Sequence, residues 1–163
     1  MRQKRQSGGG NLMMWGVLMP NGLIALKQLE GKQDSVKYIN LLQTFAVPLL
    51  NLNMDINYNF VQDNCPIHVS RKSKQYLQNQ RFQVVEWPAK SPDINLMENI
   101  WKMISDIVYE GKQPENLKQL GRKIVEAVWI INTQKLEITK GLYSTFRRRL
   151  TKILISKGNI CNN

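Results

Sequence analysis

Apolar positions along this chain follow two periods, and the shorter one comes first. Leu12 to Leu18, LMMWGVL, is almost continuously apolar, as a buried strand requires. Pro20, Asn21 and Gly22 supply turn chemistry, and Leu23 to Leu29 alternates, so the two runs predict an antiparallel hairpin. From residue 38 the period becomes helical. Tyr38, Leu41, Leu42, Phe45 and Leu49 recur at i, i+3, i+4, i+7 and i+11, behind Asp34 or Ser35 as the cap. Asp34 is read as that cap and not as a catalytic acid, and Pro48 makes the helix end irregular. Phe60 and Val61 form a short strand. Ser70 to Gln80 is a surface helix with Tyr76 and Leu77 on its apolar side, and Phe82 to Glu86 is the next strand.

Helical spacing dominates the second half. Pro88 and Pro92 keep the chain extended, and Asn95 then caps a helix with Glu98 three residues on, the spacing of a capping box. Met97, Ile100, Trp101, Ile104 and Val108 make its apolar stripe, with Trp101 as a core residue that fixes the direction in which Glu98 points. Pro114 fits the first turn of another helix, whose buried face is Leu117, Leu120, Ile124, Val128 and Ile131. A last helix follows Gly141, burying Tyr143, Phe146, Leu150 and Ile153, turning Arg147, Arg148 and Arg149 at least partly to solvent, and stopping at Gly158. The lead-in of residues 1–11, MRQKRQSGGGN, has no apolar period and predicts little fixed structure.

Composition narrows the class. A chain of 163 residues suits one domain with a real core, and no apolar run approaches the roughly 20 residues of a membrane span. The basic N-terminus leads into glycines and not into an apolar stretch, so it is no secretory signal and an intracellular protein is expected. Cys65 and Cys161 are far apart, which predicts reduced thiols with neither a disulfide framework nor a metal-binding pair. His68 is the only histidine, so a zinc site of clustered Cys and His is not expected. Lys and Arg number 23 against 12 Asp and Glu, a net charge of +11 that attracts polyanions, with DNA the natural partner and solubility charge the plainer alternative. After Trp101 the balance is 12 basic to 5 acidic residues, which makes the C-terminal third the expected phosphate-contacting surface.

Candidate chemistry lies between Phe60 and Trp101. Asp63 follows the short strand in a loop with Asn64, Cys65 and Pro66, at the strand's carboxyl edge, where open α/β sheets bind ligands. Glu98 stands in the first turn of its helix. Two such carboxylates can hold a divalent cation, since magnesium takes oxygen ligands. On the residues alone, an exposed loop Asp and a Glu that only caps its own helix serve equally well.

Written out, QDNCPIH and WPAKSPDINLMENIW resemble the motifs of the Tc/mariner DDE transposases that carry the second and third catalytic acids. Between Asp63 and Glu98 lie 34 residues, the separation found in the Tc-like branch of that superfamily. GGGNLMMWGVL, GLIALKQLEGKQDSVKYINLL and LYSTFRRRLTKILISKG also resemble segments at corresponding places, so the likeness covers nearly the whole chain.

The resemblance implies an α/β, ribonuclease H-like fold, a mixed sheet flanked by helices. Residues 12–110 would be part of the DDE core and residues 111–163 a helical C-terminal part of the same domain. It implies two-metal phosphoryl transfer with Mg2+ or Mn2+, cutting and joining DNA at transposon ends in the nucleus, with Asp63 and Glu98 as catalytic metal ligands. Asn64, His68, Asp93 and Asn95 would support them, and Arg147, Arg148 and Arg149 would contact DNA phosphate. Whether a second copy joins as a homodimer is left open. In the family the first acid lies on a central strand with no match here, and no Asp or Glu precedes Glu30. Two readings follow: a catalytic-domain fragment inactive alone, or a non-catalytic DNA-binding or protein-interaction remnant of a transposon.

Overall fold

Gly16 shows how the hairpin and the helices come together. It stands in β1 (Met13–Leu18), which pairs with β2 (Ile24–Leu29). A Cβ at Gly16 would lie 2.7 Å from Leu26 Cδ2, 2.7 Å from Met97 Cε and 3.1 Å from Trp101 Cη2. The missing side chain therefore makes room for α4 (Leu96–Val108) against the strand. These features belong to a computed structural model in which residues 11–52, 59–85 and 95–155 are described, without the side chains of residues 147 and 149–155. The chain divides into two compact units, Met1–Gln28 with Pro92–Asn163, and Leu29–Ser91.

In the first unit the hairpin turn is closed by Gly22 N donating to Met19 O at 2.8 Å and Met19 N to Leu23 O at 2.8 Å. Gly22 has φ +86°, a conformation that costs a side-chain-bearing residue energy. Among the described residues three helices complete the unit: α4, α5 (Leu117–Gln134) and α6 (Leu136–Ile155). Ile24, Ile100, Ile104, Val108, Leu120, Ala127 and Ile131 form its buried core, with Met97 and Trp101 packed against it. Of the stripe expected on α4, Ile100, Ile104 and Val108 are buried, while Met97 and Trp101 are half-buried against the core. Lys123 reaches from α5 to the last turn of α4, donating to Val108 O at 3.0 Å and to Lys112 O at 2.7 Å. A cation there satisfies carbonyls that no helical N–H reaches and complements the helix dipole.

Two helix starts differ from expectation. Asn116 caps α5, its Oδ1 accepting from Gln119 N at 2.9 Å, so Pro114 lies before the helix and Leu117 is exposed. The buried face runs through Ala127, which apolar periodicity passed over as too small to mark. The last helix begins at Leu136 and not after Gly141, because α5 and α6 are separated by Lys135 alone and Gly141 is helical. No helix among the described residues is long and apolar enough to cross a membrane.

The second unit starts with α1 (Ser35–Leu41), capped by Asp34, whose Oδ1 accepts from Val36 N at 2.8 Å and Lys37 N at 2.9 Å. These donors, that of Lys37 foremost, hold the Asp34 carboxyl below its usual range. A π-turn over Leu42–Ala46 follows, then α2 (Val47–Asn51). Pro48 has no N–H to return to the helix, and Val47 N bonds Leu42 O, five residues back. The wider turn puts Ala46 in the buried face and leaves Phe45 half-buried.

α1 packs against α3 (Arg71–Gln78), where Leu77 and Ser73 are buried. β3 (Asn59–Phe60) and β4 (Gln83–Val84) pair in parallel, Asn59 with Gln83 and Phe60 with Val84. Both strands are shorter than their apolar runs suggest: Val61 has left the ladder, and Glu86 lies outside the described residues. The Phe60 and Phe82 rings, 5.2 Å apart, pack beside this short ladder.

Candidate active site

Asp63 follows β3 three residues after Phe60, which pairs with Val84. Its side chain is 55% exposed. Asp63 Oδ1 accepts from Cys65 N at 3.1 Å, an Asx-turn that folds the chain back on the carboxylate. The same oxygen lies 2.6 Å from His68 Nδ1. An ionised carboxylate only accepts, so this contact selects the Nδ1–H form of the ring. Both of these bonds fall on Oδ1.

The imidazole is held in turn. Its side chain is 16% exposed, and the Tyr38 ring stacks on it with centroids 4.2 Å apart. Tyr38 Oη donates to Gln62 Oε1 at 2.5 Å, and Gln62 Nε2 donates to His68 O at 3.3 Å. His68 N and Val69 N both return to Cys65 O, at 2.8 and 3.1 Å, and Ser73 of α3 donates from Oγ to Ile67 O at 2.6 Å. Burial, reinforced by the negative charge of Asp63 and by Cys65, pushes the Tyr38 phenol well above its ordinary pKa. Tyr38 thus stays neutral and continues to donate.

Glu98 belongs to the other unit. It is exposed in the first turn of α4, where the positive end of the helix favours a carboxylate. Asn95 is the cap expected, with Oδ1 accepting from Met97 N at 3.1 Å. The reciprocal half of a capping box is not made by backbone. Instead Asn95 Nδ2 stands 3.5 Å from Glu98 Oε1, at the outer limit of a hydrogen bond, which leaves the Glu98 carboxylate little constrained.

The remaining expected residues are distributed more loosely. Asn64 is exposed beside Asp63, Arg148 is exposed on α6, and Asp93 lies outside the described residues, as do the side chains of Arg147 and Arg149. Three participants were not anticipated for the site. Tyr38 was assigned to a helix core face, Gln62 to no role, and Cys65 to an isolated thiol. Yet ligand atoms of Asp63, Cys65 and His68 all lie within 4.8 Å of one another, so the chain's single histidine does stand with a cysteine. The D-x-C-x-x-H spacing held the signal, once a tight turn was allowed between Cys65 and His68.

Comparison with known proteins shows what the chain as a whole is similar to. The family of DDE superfamily endonucleases matches residues 1–121. The Tc3 transposase of Caenorhabditis elegans is 31% identical over 160 residues, covering 98% of this chain and 48% of that protein. The Tcb1 transposase of Caenorhabditis briggsae is 28% identical over 151 residues, covering 93% of this chain and 54% of its own length. The chain thus spans about half the length of these relatives. The Mos1 transposase catalytic domain, solved with raltegravir and magnesium, superposes with a TM-score of 0.73 at 16% identity, over 93% of this chain and 77% of that one. The ribonuclease H-like fold expected from the motifs is the fold found. This chain belongs to the DDE superfamily endonucleases, as part of a Tc/mariner-type transposase catalytic domain.

Proposed function

We propose that this chain supplies two of the metal-binding acids, Asp63 and Glu98, of a transposase that cuts and joins DNA. The observation that carries the reading is the exposed Asp63 carboxylate, oriented through Oδ1 by His68 and Cys65 N. Residues that turn a carboxylate outward in this way commonly sit behind a metal ligand. The donors fit the cation: both acids are exposed and offer hard oxygen, the chemistry that magnesium and manganese prefer. Mos1 structures with magnesium and with manganese support the same choice of metal.

When bound, divalent cations supply Lewis-acid stabilisation of the attacking and leaving oxygens in phosphoryl transfer. The chain's own residues prepare for that. His68 fixes the rotamer of Asp63, Tyr38 fixes the ring plane of His68, and Asn95 anchors the turn from which Glu98 projects. Asn64 and Asp93 are assigned supporting places in the two motif loops. Arg147, Arg148 and Arg149 are assigned to phosphate contacts, in keeping with the positive balance after Trp101.

Nicking and strand transfer on DNA bearing candidate transposon ends test this reading, with this chain compared with one extended upstream by an acid-bearing strand. The extended protein is expected to cut in magnesium or manganese and to lose cutting on Glu98→Gln. Cutting that survives Glu98→Gln in the extended protein contradicts the assignment.

A further inference from the structure

A carboxylate, a thiol and an imidazole within 4.8 Å form a different donor set from the paired carboxylates of the proposed reaction. Magnesium has little use for sulfur or nitrogen ligands. Zinc takes both, and three protein ligands plus water is a common coordination for it. We infer that Asp63, Cys65 and His68 form a binding site for a zinc-class divalent cation, with water completing the tetrahedron.

The geometry is close to what the cation needs. Tetrahedral zinc with bonds of about 2.0 Å to O and N sets those atoms about 3.3 Å apart, and a bond of about 2.3 Å to S sets sulfur about 3.6 Å from either. Asp63 Oδ1 and His68 Nδ1 stand at 2.6 Å, so the cation takes the place of the shared proton and widens the pair slightly. Drawing in the third ligand takes a shift of about an ångström, within reach of side-chain rotation in the exposed Asp63 loop. The frame is already formed: the turn from Cys65 O to His68 N and Val69 N holds the two residues together, and Tyr38 and Gln62 hold His68. On binding, the thiol gives its proton to solvent and the neutral ring changes from the Nδ1–H to the Nε2–H tautomer. Cys65 is a free thiol.

The binding site stands on these three residues alone. Its consequence rests on the proposed function: zinc would occupy the carboxylate assigned there to magnesium or manganese, and so would block DNA cutting.

Cobalt(II) titration of the 163-residue chain, followed by zinc displacement, tests the site without any DNA. One equivalent of cobalt is expected to give a sulfur-to-cobalt charge-transfer band with intense tetrahedral d–d absorption, bleached by zinc. Cys65→Ser is expected to remove the charge-transfer band, His68→Gln to keep it while weakening cobalt binding at least about tenfold, and Cys161→Ser to change neither. Absence of the band, its survival in Cys65→Ser, its loss in Cys161→Ser, or undiminished affinity in His68→Gln would each overturn the site. Circular dichroism of each variant separates lost ligation from lost fold, and His68→Gln decides the case if Cys65→Ser unfolds. Manganese binding to Asp63 and Glu98 is a separate readout, so either site can fail without the other.

Discussion

At the scale of single residues, a side-chain amide ties α5 to the hairpin. Asn132 of α5 accepts from Ile24 N at 2.9 Å and donates to Ile24 O at 2.9 Å, so one side chain satisfies both backbone groups of a β2 residue. Asn132→Ala leaves both groups without that partner in a partly buried place, and a loss of about 2 kcal/mol in urea unfolding is expected. An unchanged midpoint would show that water replaces the amide. Tyr38 gives a prediction in pH. Its pKa is raised in the folded state, so its contribution is fully present below about pH 10, the unfolded value, and is lost as pH rises toward the folded one. Unfolding midpoints across this range should fall for the natural chain and fall less for Tyr38→Phe. Neither residue's role was legible in the sequence. Asn132 and Ile24 are 108 positions apart, and the Tyr38 stack on His68 joins a helix to a loop that no local period connects. The Asn95 cap and the places of Asp63 after β3 and Glu98 in the first turn of α4 were legible because their motifs are local.

Among elements, apolar periodicity located α1, α4 and the hairpin, whose buried positions are large residues at regular spacing. It misplaced the start of α5, since the decisive signal was the polar Asn116 and not Pro114, and it missed the first turn of α6, since one residue is enough to end a helix when Lys135 leaves helical geometry. The π-turn before Pro48 was visible only as an irregularity. Packing between elements was not visible at all: Gly16 carries no apolar signal, yet it sets how closely α4 approaches β1. Gly16→Val should cost about 1–3 kcal/mol as an overpacking substitution, measured by thermal or urea unfolding. A neutral result would mean that Leu26, Met97 and Trp101 move aside freely.

For the molecule as a whole, charge and the donor chemistry of its acids make DNA and divalent cations the partners to test. A net charge of +11 concentrated after Trp101 predicts duplex binding that weakens steeply with salt. Arg148, exposed on α6, tests the phosphate contact: Arg148→Ala should lower the slope of log affinity against log salt by about 1, read by fluorescence anisotropy on a labelled duplex. An unchanged slope would remove Arg148 from the interface. Family membership rests on the match over residues 1–121, whereas the account of function rests on what Asp63 and Glu98 hold. The most direct measurement is a manganese titration of the chain followed by electron paramagnetic resonance, with Asp63→Asn, Glu98→Gln and the exposed α4 acid variant Asp106→Asn compared side by side. The account predicts that the first two each weaken manganese binding at least about tenfold while Asp106→Asn leaves it unchanged. Binding that is indifferent to Asp63 and Glu98, or equally sensitive to Asp106, would contradict it.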